Sequence, residues 1–222
     1  MATLYLTGSS GALSAAILEH YLREGWNVAG FDRAEGGFHH NAFRFYAVDA
    51  LDEKSMESSF AKAANEVGPP QALIATVGGV KPWKPVSETS PEDFRYLMEL
   101  NLVSFFLAAK YVMLNMREGG AIISIGAEPA LRPTANKGGY IASKAGVIAL
   151  TQVLAEEGKT RGITANSIVP TVIHTKANES WGSAEEISKW TEPGDIAAMC
   201  FFLSSEAGRS VNGSVIRMPN RM

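Results

Sequence analysis

The turn Thr7-Gly8-Ser9-Ser10-Gly11 separates the apolar run Leu4-Tyr5-Leu6 from residues 13–23, which read as a helix closed by Gly25. A buried strand that passes over glycines directly into a helix opens a βαβ unit, and such units build parallel sheets. The rest of the chain keeps the same alternation. Strands are expected at residues 27–31, 43–48, 72–77, 121–125, 163–168 and 214–218. Helices are expected at 55–67, from Pro91 to about 116 with a break on the way, at 140–157, 185–190 and 195–204. No low-complexity linker or repeat divides residues 1–222, so one α/β domain is expected, a parallel sheet with amphipathic helices against it.

The glycine turn carries chemistry as well as shape. Glycines let the backbone approach a pyrophosphate, and the free N–H groups at the start of the helix hold the anion. A turn with no ligand is the simpler alternative. Ser14 stands where a third glycine is often found and is expected to loosen helix–sheet packing slightly. Asp32 ends the second strand near the offset at which a carboxylate accepts bonds from an adenosine ribose. Its charge would repel a 2′-phosphate and so favours NAD over NADP, although the neighbouring Arg33 partly offsets it. Asp49 follows the third strand and either bonds an adenine amino group or caps a turn.

Tyr140 and Lys144 stand four residues apart, on one face of the expected helix. An ammonium beside a phenol favours the phenolate, so the tyrosine pKa is expected to fall toward neutrality. The pair would then serve proton transfer at a carbonyl or alcohol oxygen.

Composition excludes several other classes. A formal net charge of −3 argues against sequence-independent binding of nucleic acid. Cys200 is the only cysteine, which rules out an intrachain disulfide and a cysteine-based metal site. The first residues lack the basic start of a signal peptide, and no apolar run approaches the ~20 residues of a membrane span. A cytoplasmic location is expected.

Taken in order, the glycine turn, Asp32, Val48-Asp49, Asn101, Tyr140, Lys144 and the segment 170–175 resemble the short-chain dehydrogenase/reductase family over nearly the whole chain. The resemblance implies a single-domain Rossmann fold, a doubly wound parallel sheet with helices on both faces, and a dinucleotide across the carboxyl ends of the strands. It implies Tyr140 as general acid/base, Lys144 as the group that tunes it and holds the nicotinamide ribose, and Asn101, in a helix kink, as the holder of a water in a proton path. It implies cofactor contacts from Gly8, Ser10, Gly11, Ala12, Leu13, Asp32, Arg33, Asp49, Ala50, Gly78, Gly79, Pro170, Ile173 and Thr175, with no metal. A small-molecule substrate and a homodimer or homotetramer built on the long helices are implied too.

The chain departs from the family pattern in three places. Thr171 replaces a glycine, and Ala75-Thr76-Val77-Gly78 replaces Asn-Asn-Ala-Gly. Ala127 stands where the family has its catalytic serine, thirteen residues before the tyrosine. Losing such a donor costs about 10²–10³ in rate. Ser124 faces the other side of the strand by alternation, and Glu128 reads as a rim carboxylate. Dihydropteridine reductase, within the family, is similar in patches. It shares the Gly-Ala-Leu turn, the Gly-Gly after the fourth strand, an alanine at the serine position and a late Trp-Thr. A quinonoid ring spreads the arriving charge and needs the serine less.

The leading expectation is therefore an NAD(H)-dependent oxidoreductase acting on a small carbonyl, alcohol or conjugated ring. A pterin-type reductase and a catalytically weak NAD(H)-binding sensor are the alternatives. Substrate choice is expected in residues 128–139 and 171–192, which hold His174, Trp181 and Trp190 but indicate no particular ligand. Trp83 either lines the pocket or packs elsewhere.

Overall fold

The computed structural model describes residues 1–220. Strands β1 (Thr3–Thr7), β2 (Asn27–Asp32), β3 (Phe43–Ala47), β4 (Ala72–Ala75), β5 (Gly120–Ile125), β6 (Ile163–Pro170) and β7 (Val215–Met218) form one sheet in the order β3-β2-β1-β4-β5-β6-β7. Every pairing is parallel. The order reverses between β1 and β4, and a crevice opens at the carboxyl ends of strands where the crossovers diverge. The doubly wound sheet with helices on both faces, expected from the resemblance, is what the chain builds.

Alternation along β1 sorts the core into two layers. Tyr5 points to one face, with Phe31, Phe60, Ile122 and Val112, where α2 (Glu53–Glu66) and the long helices pack. Leu4 and Leu6 point to the other, with Ile17, Ile74, Ile123 and Ile196, beneath α1 (Ala12–Arg23) and α9 (Pro193–Ser204). Phe60 is fully buried, its ring centroid 4.4 Å from Phe31 and 5.3 Å from Tyr5.

Capping residues set the helix starts. The Asp52 carboxylate accepts from the N–H groups of Lys54 and Ser55 at the head of α2. Ser90 caps α3 (Pro91–Met98), with Pro91 at its first position, where the missing N–H costs nothing. A π-helical turn, Glu99–Val103, follows and leads into α4 (Ser104–Asn115). This is the expected break, and it contains Asn101.

The expectation that nothing reaches membrane length needs correction. The combined helix Pro91–Asn115 is long and apolar enough to span a bilayer, yet half of its most apolar stretch is buried, with Phe105, Ala108 and Val112 in the core. Packing against the sheet accounts for the buried half, while Val103, Phe106 and Leu114 stay exposed.

Other boundaries differ in ways the site explains. The fourth strand stops at Ala75 because Thr76 leaves the sheet to bond the glycine turn. The sixth continues to Pro170, paired with β7. Residues 185–190 shrink to α8 (Ala184–Ile187), because Trp190 turns inward and is buried. Two short helices that the pattern did not show, α5 (Glu128–Leu131) and α7 (Lys176–Glu179), flank the crevice, while α6 (Gly138–Glu157) carries Tyr140 and Lys144.

Phe60→Ala removes the ring that locks β1, β2 and α2 together. It should cost about 3–5 kcal/mol in chemical denaturation. A loss below about 1 kcal/mol would show that this layer repacks freely.

Candidate active site

The crevice is an open cleft of about 1200 Å³ running along the carboxyl edge of the sheet. That exceeds the usual volume of a small-molecule pocket, roughly 300–1,000 Å³, and leaves room for an extended ligand beside a second one. Among the cofactor-contact residues expected from the sequence, all except Ser10 line it; so do Tyr140 and Lys144, while Asn101 sits behind the wall.

At one end the glycine turn folds under Asp32. Gly8 has φ +71°, a left-handed backbone, and a Cβ there would fall 2.6 Å from Thr76 Oγ1. Asp32 accepts from the Ser10 N–H at 3.0 Å and from the Arg33 N–H at 2.7 Å, one on each carboxylate oxygen. Further lone pairs remain on both oxygens for hydroxyl donors. Ser10 thus tethers Asp32 from outside the cleft, and its hydroxyl bonds the Ala34 carbonyl. Asp49 Oδ1 accepts from the Leu51 N–H at 3.0 Å, so it caps its turn while still lining the cleft.

Ser14 does not loosen the packing. It is fully buried, 2.7 Å from Thr76 Oγ1, which donates to the Thr7 carbonyl at 2.7 Å. The hydroxyl pair stitches the glycine turn to the end of β4. Thr76 at a position the family gives to asparagine was the available signal.

At the other end, Tyr140 and Lys144 share the cleft face of α6. The expectation of a lowered phenol pKa is not met. Burial pushes the Tyr140 phenol up to about 12 and the Lys144 ammonium down to about 8. Desolvation dominates because Lys144 is buried and donates to the Ile125 carbonyl at 2.8 Å. Among the described residues no hydrogen bond joins the ammonium to the phenol.

Asn101 is buried and fully engaged. Its Oδ1 accepts from the Gly79 N–H at 2.8 Å, and its Nδ2 donates to the Gly79 carbonyl at 3.1 Å and to Ser143 Oγ at 3.0 Å. A Cβ on Gly78 would lie 2.8 Å from Asn101 Oδ1 and 3.2 Å from Lys144 Nζ, so the bare backbone there is a packing requirement.

Ala127 lines the cleft, buried, with no hydroxyl to offer. Ser124 is turned away as expected, 2.8 Å from Thr151 Oγ1 in the interior. The Glu128 carboxylate is drawn off by Arg217, which donates to both its oxygens at 3.0 and 2.6 Å.

A family model described as enoyl-(acyl carrier protein) reductase matches residues 10–218. The chain belongs to the short-chain dehydrogenase/reductase family. It is 31% identical to a D-threitol dehydrogenase of Mycolicibacterium smegmatis, over 94% of this chain and 88% of that protein. It is 24% identical to a dihydropteridine reductase of Dictyostelium discoideum, over 98% and 94%. A blue fluorescent protein from a metagenomic library, crystallised with NADPH, superposes with a TM-score of 0.88 at 26% identity, covering 98% and 96%. As a member of this family the chain is an oxidoreductase that works with a nicotinamide cofactor, and the glycine turn, the free lone pairs of Asp32 and the length of the cleft fit that group.

Residues missed or left open by sequence reasoning crowd the reactive end of this oxidoreductase. Trp83, on the loop after β4, packs its ring 5.6 Å from the Tyr140 ring at 63°. Lys137 lies 4.8 Å over the same indole. The segment after β6 folds around buried Trp190, which Trp181 meets at 4.8 Å, and is tied back where Ile173 bridges Thr191. His174 clamps it, with Nδ1 2.9 Å from Glu192 Oε1 and Nε2 2.8 Å from Glu179 Oε1.

Both ring nitrogens face carboxylates, so the imidazolium is favoured. The bonds to Glu192 and then Glu179 hold the His174 pKa above its ordinary value. The clamp therefore stabilises the segment fully below the ordinary histidine pKa, and that contribution is lost as pH rises through the raised value. Hydrogen exchange in residues 171–192 should speed up across that range, and His174→Gln should abolish the dependence. Exchange that follows pH only through intrinsic chemistry would remove the clamp from the account.

Proposed function

We propose that this oxidoreductase reduces a small carbonyl or conjugated-ring compound with NADH, and that Tyr140 delivers the proton. The observation carrying this reading is the pairing of Tyr140 and Lys144 on one cleft face, with the Asp32 carboxylate at the opposite end. When bound, the nicotinamide supplies the hydride equivalent.

The residues then divide the remaining work. Asp32 accepts bonds from the adenosine ribose, and its charge disfavours a 2′-phosphate, so NADH is preferred to NADPH. Ala12 and Leu13 offer the pyrophosphate their backbone N–H groups at the head of α1. Gly8 and Gly11, whose own N–H groups bond the Phe31 and Gly8 carbonyls, let the backbone come close to it, and Ser10 keeps Asp32 in place. Arg33, Asp49 and Ala50 border the adenine; Gly78, Gly79, Pro170, Ile173 and Thr175 border the nicotinamide half. Lys144 holds the nicotinamide ribose.

Tyr140 is protonated at neutral pH, because burial raises its phenol to about 12. A phenol in that state gives a proton to a strongly basic oxygen as negative charge develops there, which suits the reducing direction. Asn101 acts as a positioning residue. Its amide is used on Gly79 and Ser143, so a relay water would rest on a backbone carbonyl released by the π-helical turn.

Ala127 favours a second reading. Without a hydroxyl on that wall, a substrate oxygen that must carry a localised charge loses a donor, whereas a quinonoid ring distributes the charge. The similarity to a dihydropteridine reductase supports this narrower class.

We also propose a cytoplasmic homodimer or homotetramer, with no role at nucleic acid or membrane. Phe94, Val103, Phe106 and Leu114 on Pro91–Asn115, and Val153 on α6, are exposed apolar side chains suited to self-association.

Tyr140→Phe should lower NADH turnover by about 10²–10⁴-fold while leaving NADH affinity within about twofold, read by steady-state kinetics and calorimetry. Unchanged turnover would take Tyr140 out of the chemistry.

A further inference from the structure

The two ends of the cleft differ in charge. Among the described residues that line it, the carboxylates are Asp32 and Asp49, both at the adenosine end. Lys81, Lys137 and Lys144 line the rest. Lys144 donates to a backbone carbonyl, and Lys81 is matched by Asp93 at 3.4 Å. Lys137 is different. It is half-buried at the start of α6 and, among the described residues, has no carboxylate within ion-pair distance. Its partner is the Trp83 ring, a face that attracts a cation without neutralising it.

Lys137 precedes Tyr140 by three residues, and Trp83 touches both, so the ammonium, the indole and the phenol form one continuous wall. Glu128, the carboxylate of α5, is bonded by Arg217, and Asp93, which shares a small pocket with Lys137, pairs with Lys81. Trp83 is 47% exposed and Trp181, also on the cleft, is 60% exposed, which leaves large flat apolar surfaces open to a ligand. A cleft end carrying one sign of charge and low-dielectric walls concentrates the opposite sign.

Building on the oxidoreductase reading above, we infer that the substrate is a planar, monoanionic oxo acid: its carboxylate pairs with Lys137, its flat group lies on Trp83 and its carbonyl oxygen meets Tyr140. One unmatched ammonium suits the single charge of a carboxylate better than the double charge of a phosphate. Lys137 and Trp83 are then the specificity-determining residues.

The probe is benzoylformate, a flat α-oxo acid, compared with its neutral methyl ester. Binding in the presence of NAD is read by quenching of tryptophan fluorescence, which needs no turnover. NADH oxidation by each compound is measured separately, so a failure of the catalytic reading is visible apart from a failure of this one. The acid should bind at least tenfold tighter than the ester. Lys137→Gln should erase that preference while leaving ester binding in place, which also reports an intact fold. Lys81→Gln, an equal loss of charge at a matched lysine, should leave the preference standing. Equal binding of acid and ester, binding of neither, or a preference that survives Lys137→Gln would overturn the proposal.

Discussion

The side-chain amide of Asn101 grips both backbone groups of Gly79 and donates to Ser143, and Ser143 in turn donates to the Tyr140 carbonyl at 2.8 Å. Three elements meet in those bonds: the loop after β4, the π-helical turn of the long helix and the first turn of α6. A buried amide whose donors and acceptor are all engaged is costly to disturb, since each orphaned group would face the full desolvation penalty. That side chain ties the loop that walls the cleft to the helix that carries the tyrosine, beside the Lys84 N–H bond to the Asn136 carbonyl at 3.0 Å and the Trp83–Tyr140 ring contact. Gly78 belongs to the same constraint, because a side chain there would collide with Asn101 and Lys144.

Around that fixed corner, electrostatics divides the cleft. The end at Asp32 and Asp49 is polar, and its carboxylates are steadied by backbone N–H groups. At the Tyr140 end Lys144 is buried and Tyr140 half-buried, and desolvation of the two sets their proton chemistry. It holds Tyr140 in the phenol form and lowers Lys144 to about 8. Under the proposed function, Tyr140 meets the reacting atoms in its acid form.

The layout of the sheet could be read from the sequence because strand and helix periods alternate cleanly and glycines mark the crossing point. The ordered set from Gly8 to Thr175 located the cleft for the same reason, since those residues sit at strand ends that the topology gathers on one edge. Spacing could not reveal which groups would bond to one another. Tyr140 and Lys144 are neighbours on a helix, yet the nearest acceptor to the ammonium is a carbonyl of β5, so the expected tuning of the phenol was wrong in sign. Ser14 looked like a packing defect until Thr76, far along the chain, supplied its partner. Lys137 and Trp83 carried no periodic signal, and only the folded loop after β4 brings them to Tyr140.

A structure with NADH bound tests the central claim most directly, because the claim assigns each end of one cleft to one half of the cofactor. The account predicts adenosine ribose hydroxyls on the Asp32 carboxylate, the pyrophosphate at the head of α1, and the nicotinamide ring within contact of the Tyr140 phenol with its ribose on Lys144. A cofactor lying elsewhere, or reversed so that its adenine meets Tyr140, would contradict it.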